Sequence, residues 1–230
     1  MSQAGQSDEF SLILASSVHD MKNSLGMLLS SLEEVVGETK AQNERQAQLF
    51  ATLQYEASRI NGELIQLLSI YRMQKNRMPV AIDEHYVVEV LDDLLARNES
   101  LFAMRAVAVD LQCDPELIWY FDSDLITSVV NDALVNCSRY SKDRVQLSAA
   151  IVNECLEIRV SDNGNGYPPS MLGVQDAKQE PSVFDQGRTN LGLYFATRVA
   201  ALHTRGELQG ELRLENSGQF GGGEFVLTLP

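Results

Sequence analysis

Apolar residues recur every three or four positions over the first third of the chain. In the first segment they are separated by alternating steps of 4 and 3, a heptad pattern: Leu14, Val18, Met21, Leu25, Leu28, Leu32 and Val35. A second segment continues the helical spacing at Leu49, Leu53, Ala57, Ile60, Leu64, Leu67 and Tyr71. The polar stretch 38–48 lies between them and contains the turn. The pattern predicts two long helices that form an antiparallel hairpin over residues 1–76.

One hairpin of this kind has little apolar area that faces inward. Two hairpins that pair into a four-helix bundle bury both heptad seams, so we predict a homodimer. The alternative is that the rest of the chain covers the seam.

The pattern changes to a mixture of strands and helices over residues 80–230. Short alternating stretches predict strands over 80–82, 106–112, 117–121, 144–152, 155–161, 207–215 and 224–229. Longer periodic stretches predict helices over 84–104, 123–140 and 191–203, and Asp122 is placed to cap the second of these. Helices that are segregated from a largely antiparallel sheet predict an α+β fold, here an α/β two-layer sandwich.

Charge and composition narrow the range of partners. The 18 basic and 32 acidic residues give a net charge of −14, which repels nucleic acid and anionic lipid. The three cysteines form no CxxC pair, so neither a zinc site nor a disulfide framework is expected. The chain start does not resemble a signal peptide, and no apolar run is long enough for membrane insertion. We therefore expect a cytoplasmic protein.

A histidine lies beside the first apolar seam. His19 follows the seam residue Val18 and is expected to point outward, and Asn23 shares its helix face one turn later. Asp20 can accept a hydrogen bond from one ring nitrogen, which leaves the other nitrogen nucleophilic. Such a nitrogen can attack a terminal phosphate. The alternative is an ordinary surface histidine.

Two later segments carry residues that suit a nucleotide. Asp132, Asn136 and Arg139 share one helix face; the Asn136 amide oxygen suits Mg²⁺, and Arg139 can neutralise phosphate. Asp162 can accept a hydrogen bond from an exocyclic amine such as that of adenine. The glycines after it, Gly164 and Gly166, allow the backbone to approach a ligand closely. Taken singly, these segments also fit a solvated helix face and a tight turn.

In their order along the chain, these segments resemble the sensor histidine kinase core of bacterial two-component systems. Residues 18–23 resemble its H box, 132–140 its N box, and 162–166 its first glycine box. Phe184 resembles the F box, and 191–193 the second glycine box. The resemblance implies a dimerisation and phosphotransfer hairpin followed by an ATP-binding domain of the gyrase, Hsp90, histidine kinase and MutL type.

The resemblance also implies roles for individual residues. His19 would be autophosphorylated from ATP, with Asp20 as the neighbouring acid/base, Asp132 of the N box as a further base, and Asn23 orienting a water for phosphatase activity. The residues that would bind ATP and Mg²⁺ are Asn136, which would hold the metal, Arg139, Tyr140, Asp162, Gly164, Gly166, Gly192 and Leu193, with 167–190 as a mobile lid. The implied partners are the receiver domain of a response regulator and an upstream sensor protein.

Four positions differ from the family's usual residues. Ser24 replaces a proline and Asp132 an asparagine, while Asn190 replaces a glycine and Glu224 a small hydroxyl residue. The changes at Asn190 and Glu224 favour weaker ATP binding. They leave open a histidine phosphotransferase whose C-terminal domain does not bind ATP. A second alternative is a non-catalytic, anti-sigma-like interaction module.

Overall fold

A computed structural model of the chain describes residues 18, 20, 21, 23–28, 30, 31, 34, 35, 44–75, 78–175, 191–216 and 218–230. The chain divides into two compact units, Met1–Met78 and Pro79–Pro230. His19, Phe184 and Asn190, which the sequence marks as candidate site residues, lie outside the described residues. No helix among the described residues is long and apolar enough to cross a membrane.

The first unit is helical at every described position up to Gln74. The described positions between 18 and 35 all have helical backbone, and helix α1 spans Glu44–Gln74. Asn23, Met27 and Ser30 from the first stretch line one cleft of about 460 Å³ together with Asn61 and Ile65 of α1. The two helical stretches are therefore neighbours, whereas the dimeric bundle stays a prediction.

The predicted seam of the first unit is only partly buried. Val18 and Ala57 are buried, but other seam residues are exposed, namely Met21, Leu28, Val35, Leu49, Leu53 and Ile60. Leu14 and Leu32 lie outside the described residues. A row of exposed apolar side chains is what the interface of a symmetric dimer would present in a single chain.

The described residues of the second unit alternate between strands and helices. In chain order the elements are β1 (Asp83–Tyr86), α2 (Val87–Met104), β2 (Ala108–Cys113), β3 (Ile118–Phe121), α3 (Ser123–Tyr140), β4 (Arg144–Val152), β5 (Cys155–Asp162), a 3₁₀ turn (Pro169–Met171), β6 (Gly173–Gln175), α4 (Leu191–Leu202), β7 (Thr204–Arg205), β8 (Leu208–Gln209), β9 (Glu211–Glu215) and β10 (Glu224–Leu229). The main sheet has the strand order β2-β4-β5-β10-β9-β6. Its β2–β4 pair is parallel and its other pairs are antiparallel.

Alternation along the central strands places the core between the sheet and the helices. Leu156, Ile158 and Val160 of β5 are fully buried, as are Val130 and Leu134 on the facing side of α3. The second unit is thus an α+β fold with a mixed sheet and helices, as the sequence predicts. The helices bury their apolar faces on one side of the sheet, which leaves the opposite side mainly polar.

Several predicted boundaries are wrong for identifiable reasons. The expected strand over 80–82 is displaced to Asp83–Tyr86, which pairs with the distant β3, and α2 therefore starts at Val87 rather than at 84. The stretch 207–215 is broken at Gly210, where a side chain would meet the Ala200 carbonyl oxygen at 2.4 Å. The predicted loop 167–190 contains β6, because Gly173–Gln175 pairs with β9.

Asp122 organises the start of α3. Its Oδ1 accepts the amide hydrogen of Leu125, so the predicted N-cap is confirmed, and its Oδ2 accepts the amide hydrogen of Ala81 at 2.8 Å. The backbone amide of Asp122 donates to Nε2 of the buried His203 at 3.1 Å. His203 Nδ1 lies 2.9 Å from the Val199 carbonyl oxygen and donates to it, because Nε2 is the acceptor. This arrangement requires a neutral imidazole.

Acidification below about pH 6.5, the usual pKa of histidine, is expected to destabilise the second unit. Burial lowers the pKa of His203, although its hydrogen bond to Val199 and the charge of Asp122 oppose that shift. Unfolded His203 takes up a proton near the usual pKa while folded His203 stays neutral. The stability that depends on His203 is therefore complete above the unfolded pKa and is lost as the pH falls towards the lowered folded pKa, by at most about 1.4 kcal/mol per pH unit.

Urea unfolding followed by the fluorescence of Trp119, the only tryptophan of the chain, measures this effect in the second unit. The urea concentration at the unfolding midpoint should decrease when the pH is lowered from about 7.5 to about 5.5, both in the wild type and in a His85→Gln control. A His203→Gln variant should show a weaker dependence. An identical dependence in the wild type and His203→Gln would contradict the role of His203.

Candidate functional site

Asp162 ends β5 with its carboxylate held on several sides. The residue is 6% exposed, and its Oδ1 accepts the amide hydrogens of Gly164 at 2.6 Å and Gly223 at 3.3 Å. Its Oδ2 accepts the Cys137 thiol hydrogen at 3.6 Å. The Asp162 amide also donates to the Gly223 carbonyl oxygen at 2.9 Å. The orientation of this carboxylate is therefore fixed by β5, β10 and α3 together.

Glycines surround Asp162 because side chains would not fit there. A Cβ atom at Gly164 would lie 2.1 Å from the Tyr140 carbonyl oxygen, and one at Gly222 would lie 2.4 Å from the Asp162 carbonyl oxygen. Both obstacles are backbone atoms, which cannot move aside cheaply. The glycines therefore form a cradle in which backbone amides lie next to a buried acceptor, an arrangement that suits a planar base bearing a hydrogen-bond donor.

Two asparagines fix the turn after Asp162. Asn163 Oδ1 accepts the amide hydrogens of three consecutive residues, 142–144, at 3.0–3.2 Å. Asn216 Oδ1 accepts the Tyr167 amide hydrogen at 2.7 Å, and its Nδ2 donates to the Tyr167 carbonyl oxygen at 2.8 Å. Gly166 has a φ of +73°, and a Cβ there would meet Asn216 Oδ1 at 2.5 Å. Gly166 is thus needed for the turn itself.

Cys137 and Tyr167 stay protonated beside Asp162. Burial, followed by the charge of Asp162, raises the pKa of the Cys137 thiol well above its usual value. Burial also raises the pKa of the Tyr167 hydroxyl strongly, with smaller contributions from Cys137 and Asp162. Both groups are therefore neutral hydrogen-bond donors at physiological pH.

The polar face of α3 lies next to this cradle. Asn136 and Tyr140 are exposed and Asp132 and Arg139 are half-buried, whereas the apolar residues of α3 pack into the core. The contacts of Cys137 with Asp162 and of Tyr140 with Gly164 bring the last turn of α3 to the cradle. Of the predicted residues on α3, the structure therefore brings Tyr140 beside Gly164.

The other predicted site residues lie elsewhere. Gly192 and Leu193 are half-buried in the first turn of α4, which packs against α3. Asp20 and Asn23 are exposed in the first unit. The roles of these residues and of the α3 residues stay predictions.

Glu224 faces away from the cradle. Its Oε1 accepts the Ser161 hydroxyl hydrogen at 2.8 Å and its Oε2 accepts a hydrogen from Arg159 at 3.2 Å. Ser161 and Asp162 are consecutive residues of β5, so their side chains lie on opposite faces of the sheet. The geometry therefore argues against the expectation that Glu224 weakens nucleotide binding.

Sequence reasoning missed the residues that hold Asp162 and its turn. These are Cys137, Asn163, Tyr167 and Asn216, whereas Gly222 and Gly223 belong to a glycine run that the sequence leaves open as a close backbone approach or a hairpin loop. The run of three glycines from Gly221 was the one sequence signal for this part of the site, since such a run before a strand permits a close backbone approach.

Comparison with known proteins gives a family match in the second unit. Residues 121–230 match the family described as histidine kinase-, DNA gyrase B- and HSP90-like ATPase. The virulence sensor histidine kinase PhoQ of Salmonella typhimurium is 22% identical over 181 residues, which cover 79% of this chain and 35% of PhoQ. The sensor protein PhoQ of Escherichia coli K12 is 24% identical over the same length. The chain thus spans about a third of the length of these curated relatives.

Solved structures share the fold over most of the chain. The Acinetobacter baumannii histidine kinase AdeS matches with a TM-score of 0.60 and 14% identity, covering 92% of this chain and 96% of that one. Full-length ShkA in complex with AMPPNP matches with a TM-score of 0.66 and 17% identity, covering 94% of this chain and 45% of ShkA. At these identities the structural matches establish the fold alone.

Proposed function

We propose that this chain binds ATP and transfers its γ-phosphate to His19, and the match of residues 121–230 to the family of histidine kinase-, DNA gyrase B- and HSP90-like ATPases supports this proposal. From there the phosphate passes to an aspartate on the receiver domain of a response regulator. The observation that carries the proposal is the buried, oriented carboxylate of Asp162 inside a glycine cradle. In the first unit, His19 and Asp20 are consecutive in sequence, as a phosphotransfer helix requires.

The contacts of Asp162 support recognition of adenine. An ionised carboxylate offers about four acceptor positions, and three are taken by the Gly164 amide, the Gly223 amide and the Cys137 thiol. One acceptor position is left for the exocyclic amine of adenine. Guanine presents a carbonyl oxygen at that place, which the carboxylate would repel. The arrangement therefore favours ATP over GTP.

The polar face of α3 suits the phosphates. Asn136 would hold Mg²⁺ through its amide oxygen, the other ligands being phosphate oxygens and water, and the ion neutralises phosphate charge. Arg139 would pair with a phosphate and Tyr140 would contact the base. Gly192 and Leu193 supply backbone amides at the start of the 12-residue helix α4, where anions bind favourably.

Phosphate transfer requires one unprotonated ring nitrogen on His19. That nitrogen attacks the γ-phosphorus, the bond to the β–γ bridging oxygen breaks, and ADP leaves. Asp20 accepts a hydrogen bond from the N–H of the other ring nitrogen and takes that proton as positive charge develops on the ring, and Asp132 is a second base within the nucleotide domain. Asn23, one turn after His19, orients the water that hydrolyses the phospho-aspartate of the regulator.

Incubation of the purified chain with γ-labelled ATP and Mg²⁺ tests the kinase. A label that is lost in acid and kept in alkali identifies phosphohistidine. No label at millimolar ATP would reject the kinase and favour the phosphotransferase, whose His19 would instead take label from a phosphorylated receiver domain. The asparagine at Asn190, where a glycine is usual, is the observation that favours this second function.

The exposed seam of the first unit supports a homodimer. Among the described residues of the predicted seam, six apolar side chains are exposed in the single chain, each at 42–57% of its full exposure. Bringing two copies together would remove this apolar surface from water and complete a four-helix bundle.

The variant Leu28→Asp is expected to dissociate the dimer and raise its dissociation constant at least about a hundredfold, because it buries an unpaired charge. Leu28 is 54% exposed in the single chain, so folding of one chain should be little affected. Sedimentation over a range of concentrations measures the change. Met27→Asp is the matched control, since Met27 is 67% exposed and does not belong to the seam. Dissociation by Met27→Asp but not by Leu28→Asp would place the interface on another helix face.

A further inference from the structure

A groove lies between α2 and the edge of the main sheet, two strands away from β5. Its volume is about 620 Å³, and its floor is formed by Leu95, Phe102, Val107 and Val109. Phe102 and Val107 are buried, whereas Leu95 and Val109 are half-buried. The floor therefore offers apolar surface that is open to a partner.

The rim of the groove is acidic. Asp92, Asp93 and Glu99 line it and are exposed. Burial, and then the charges of Asp114 and Asp92, raise the pKa of the Cys113 thiol at the end of β2, so Asp92 lies near that strand. The groove thus combines an apolar floor with negative charge along the helix that borders it.

The strand beside the groove has an open edge. Among the described strands, β2 pairs only with β4. The amide of Ala108 donates towards β4, to the Asp143 carbonyl oxygen at 2.8 Å. Because backbone groups alternate in direction along a strand, the N–H and C=O groups of Val109 and Leu111 point to the open edge. Such an edge is a template for another strand.

From these features we infer that the groove and the β2 edge bind an extended, positively charged segment of another protein, which adds to the sheet as a strand. Open backbone groups call for an extended partner, because a helix has no backbone groups left to pair with them. A second copy is disfavoured at this edge, because it would bring its own acidic rim of Asp92, Asp93 and Glu99 against the first. The apolar floor and the acidic rim together favour long basic side chains, which have an apolar stem and a positively charged end.

The register of the sheet predicts the pattern of the bound segment. Val109 is paired with Val145 and therefore faces the helix side, so every second side chain of an added strand would enter the groove. Lysine or arginine at these positions would lay its apolar stem over the half-buried Leu95 and Val109 and reach Asp92 or Glu99. From Asp92 to Ala103, α2 rises about 16 Å, which matches about five residues of extended chain.

A nine-residue peptide that alternates lysine and threonine is the probe, with the full chain labelled with ¹⁵N for NMR. Binding is expected to slow hydrogen exchange of the Val109 and Leu111 amides at least about tenfold. The variant Glu99→Lys should weaken binding at least about tenfold. Glu207→Lys makes the same charge change at an exposed residue of the β7–β8 turn and should leave affinity within about twofold.

Four outcomes would overturn the inference. Unchanged exchange of the Val109 and Leu111 amides would exclude strand addition at this edge. Equal weakening by Glu99→Lys and Glu207→Lys, or equal binding of a proline-interrupted peptide of the same charge, would reduce the effect to general attraction. Protection of these amides that rises with protein concentration alone would assign the edge to a second copy.

Discussion

Replacement of His19 by glutamine is expected to abolish phosphate transfer from ATP to the chain. A glutamine amide has no nucleophilic nitrogen, so transfer should fall at least about a thousandfold, below detection. Affinity for ATP should stay within about twofold, because Asp162 and its cradle belong to the other unit. Labelling with γ-labelled ATP measures transfer, and calorimetry measures affinity.

His85→Gln is the matched control for this variant. His85 is half-buried in β1 and its ring packs against Phe121 with 5.0 Å between the centroids, so the substitution removes an imidazole that the proposed transfer does not use. Labelling should be retained. Labelled His19→Gln together with unlabelled His85→Gln would show that the phosphate acceptor has been misassigned.

Replacement of Asp162 by asparagine is expected to lower the affinity for ATP more than about hundredfold, or by about 3 kcal/mol. The remaining oxygen can still accept the Gly164 and Gly223 amide hydrogens, so the turn should fold. The new amide group would instead direct a donor at the adenine amine and at the Cys137 thiol. Two donors that face each other in a buried site cannot both be satisfied. Calorimetry with ATP is the measurement, and phosphate transfer should be lost with binding.

Asp110→Asn provides the same chemical change on another strand. Asp110 is exposed on β2, where its carboxylate accepts hydrogen bonds from Gln112 and Gln146. Its replacement should leave ATP affinity within about twofold. Wild-type affinity in Asp162→Asn would remove adenine recognition from Asp162, and an equal loss in both variants would indicate a general effect of lost charge.

Elements with strong local patterns could be predicted from sequence. The strands over 144–152 and 224–229 have the predicted bounds, because both alternate regularly and end at clear turn residues. Asn153 and Glu154, with positive φ values, form the tight turn between β4 and β5 that the sequence indicates. Asp162 and Gly164 were recognisable because an acidic residue next to closely spaced glycines is a local motif.

The parts that failed depend on contacts between distant residues. Asp83–Tyr86 is rich in charge and became a strand only through its pairing with β3. The pairing of Cys137 with Asp162 joins α3 to β5, and a buried cysteine in an apolar helix pattern gives no signal of it. The side of the sheet on which Glu224 lies follows from its register with Ser161, which local sequence does not specify.

The turn after Asp162 also bears on how this sequence can diverge. Asn163 accepts hydrogen bonds from three consecutive backbone amides of the α3–β4 connection, and a side chain without an acceptor oxygen in that place would leave all three without their partner. A change to such a side chain is therefore tolerable only alongside a rebuilt connection over 141–144. We therefore expect related sequences either to keep both Asn163 and the length of the 141–144 connection or to differ at both.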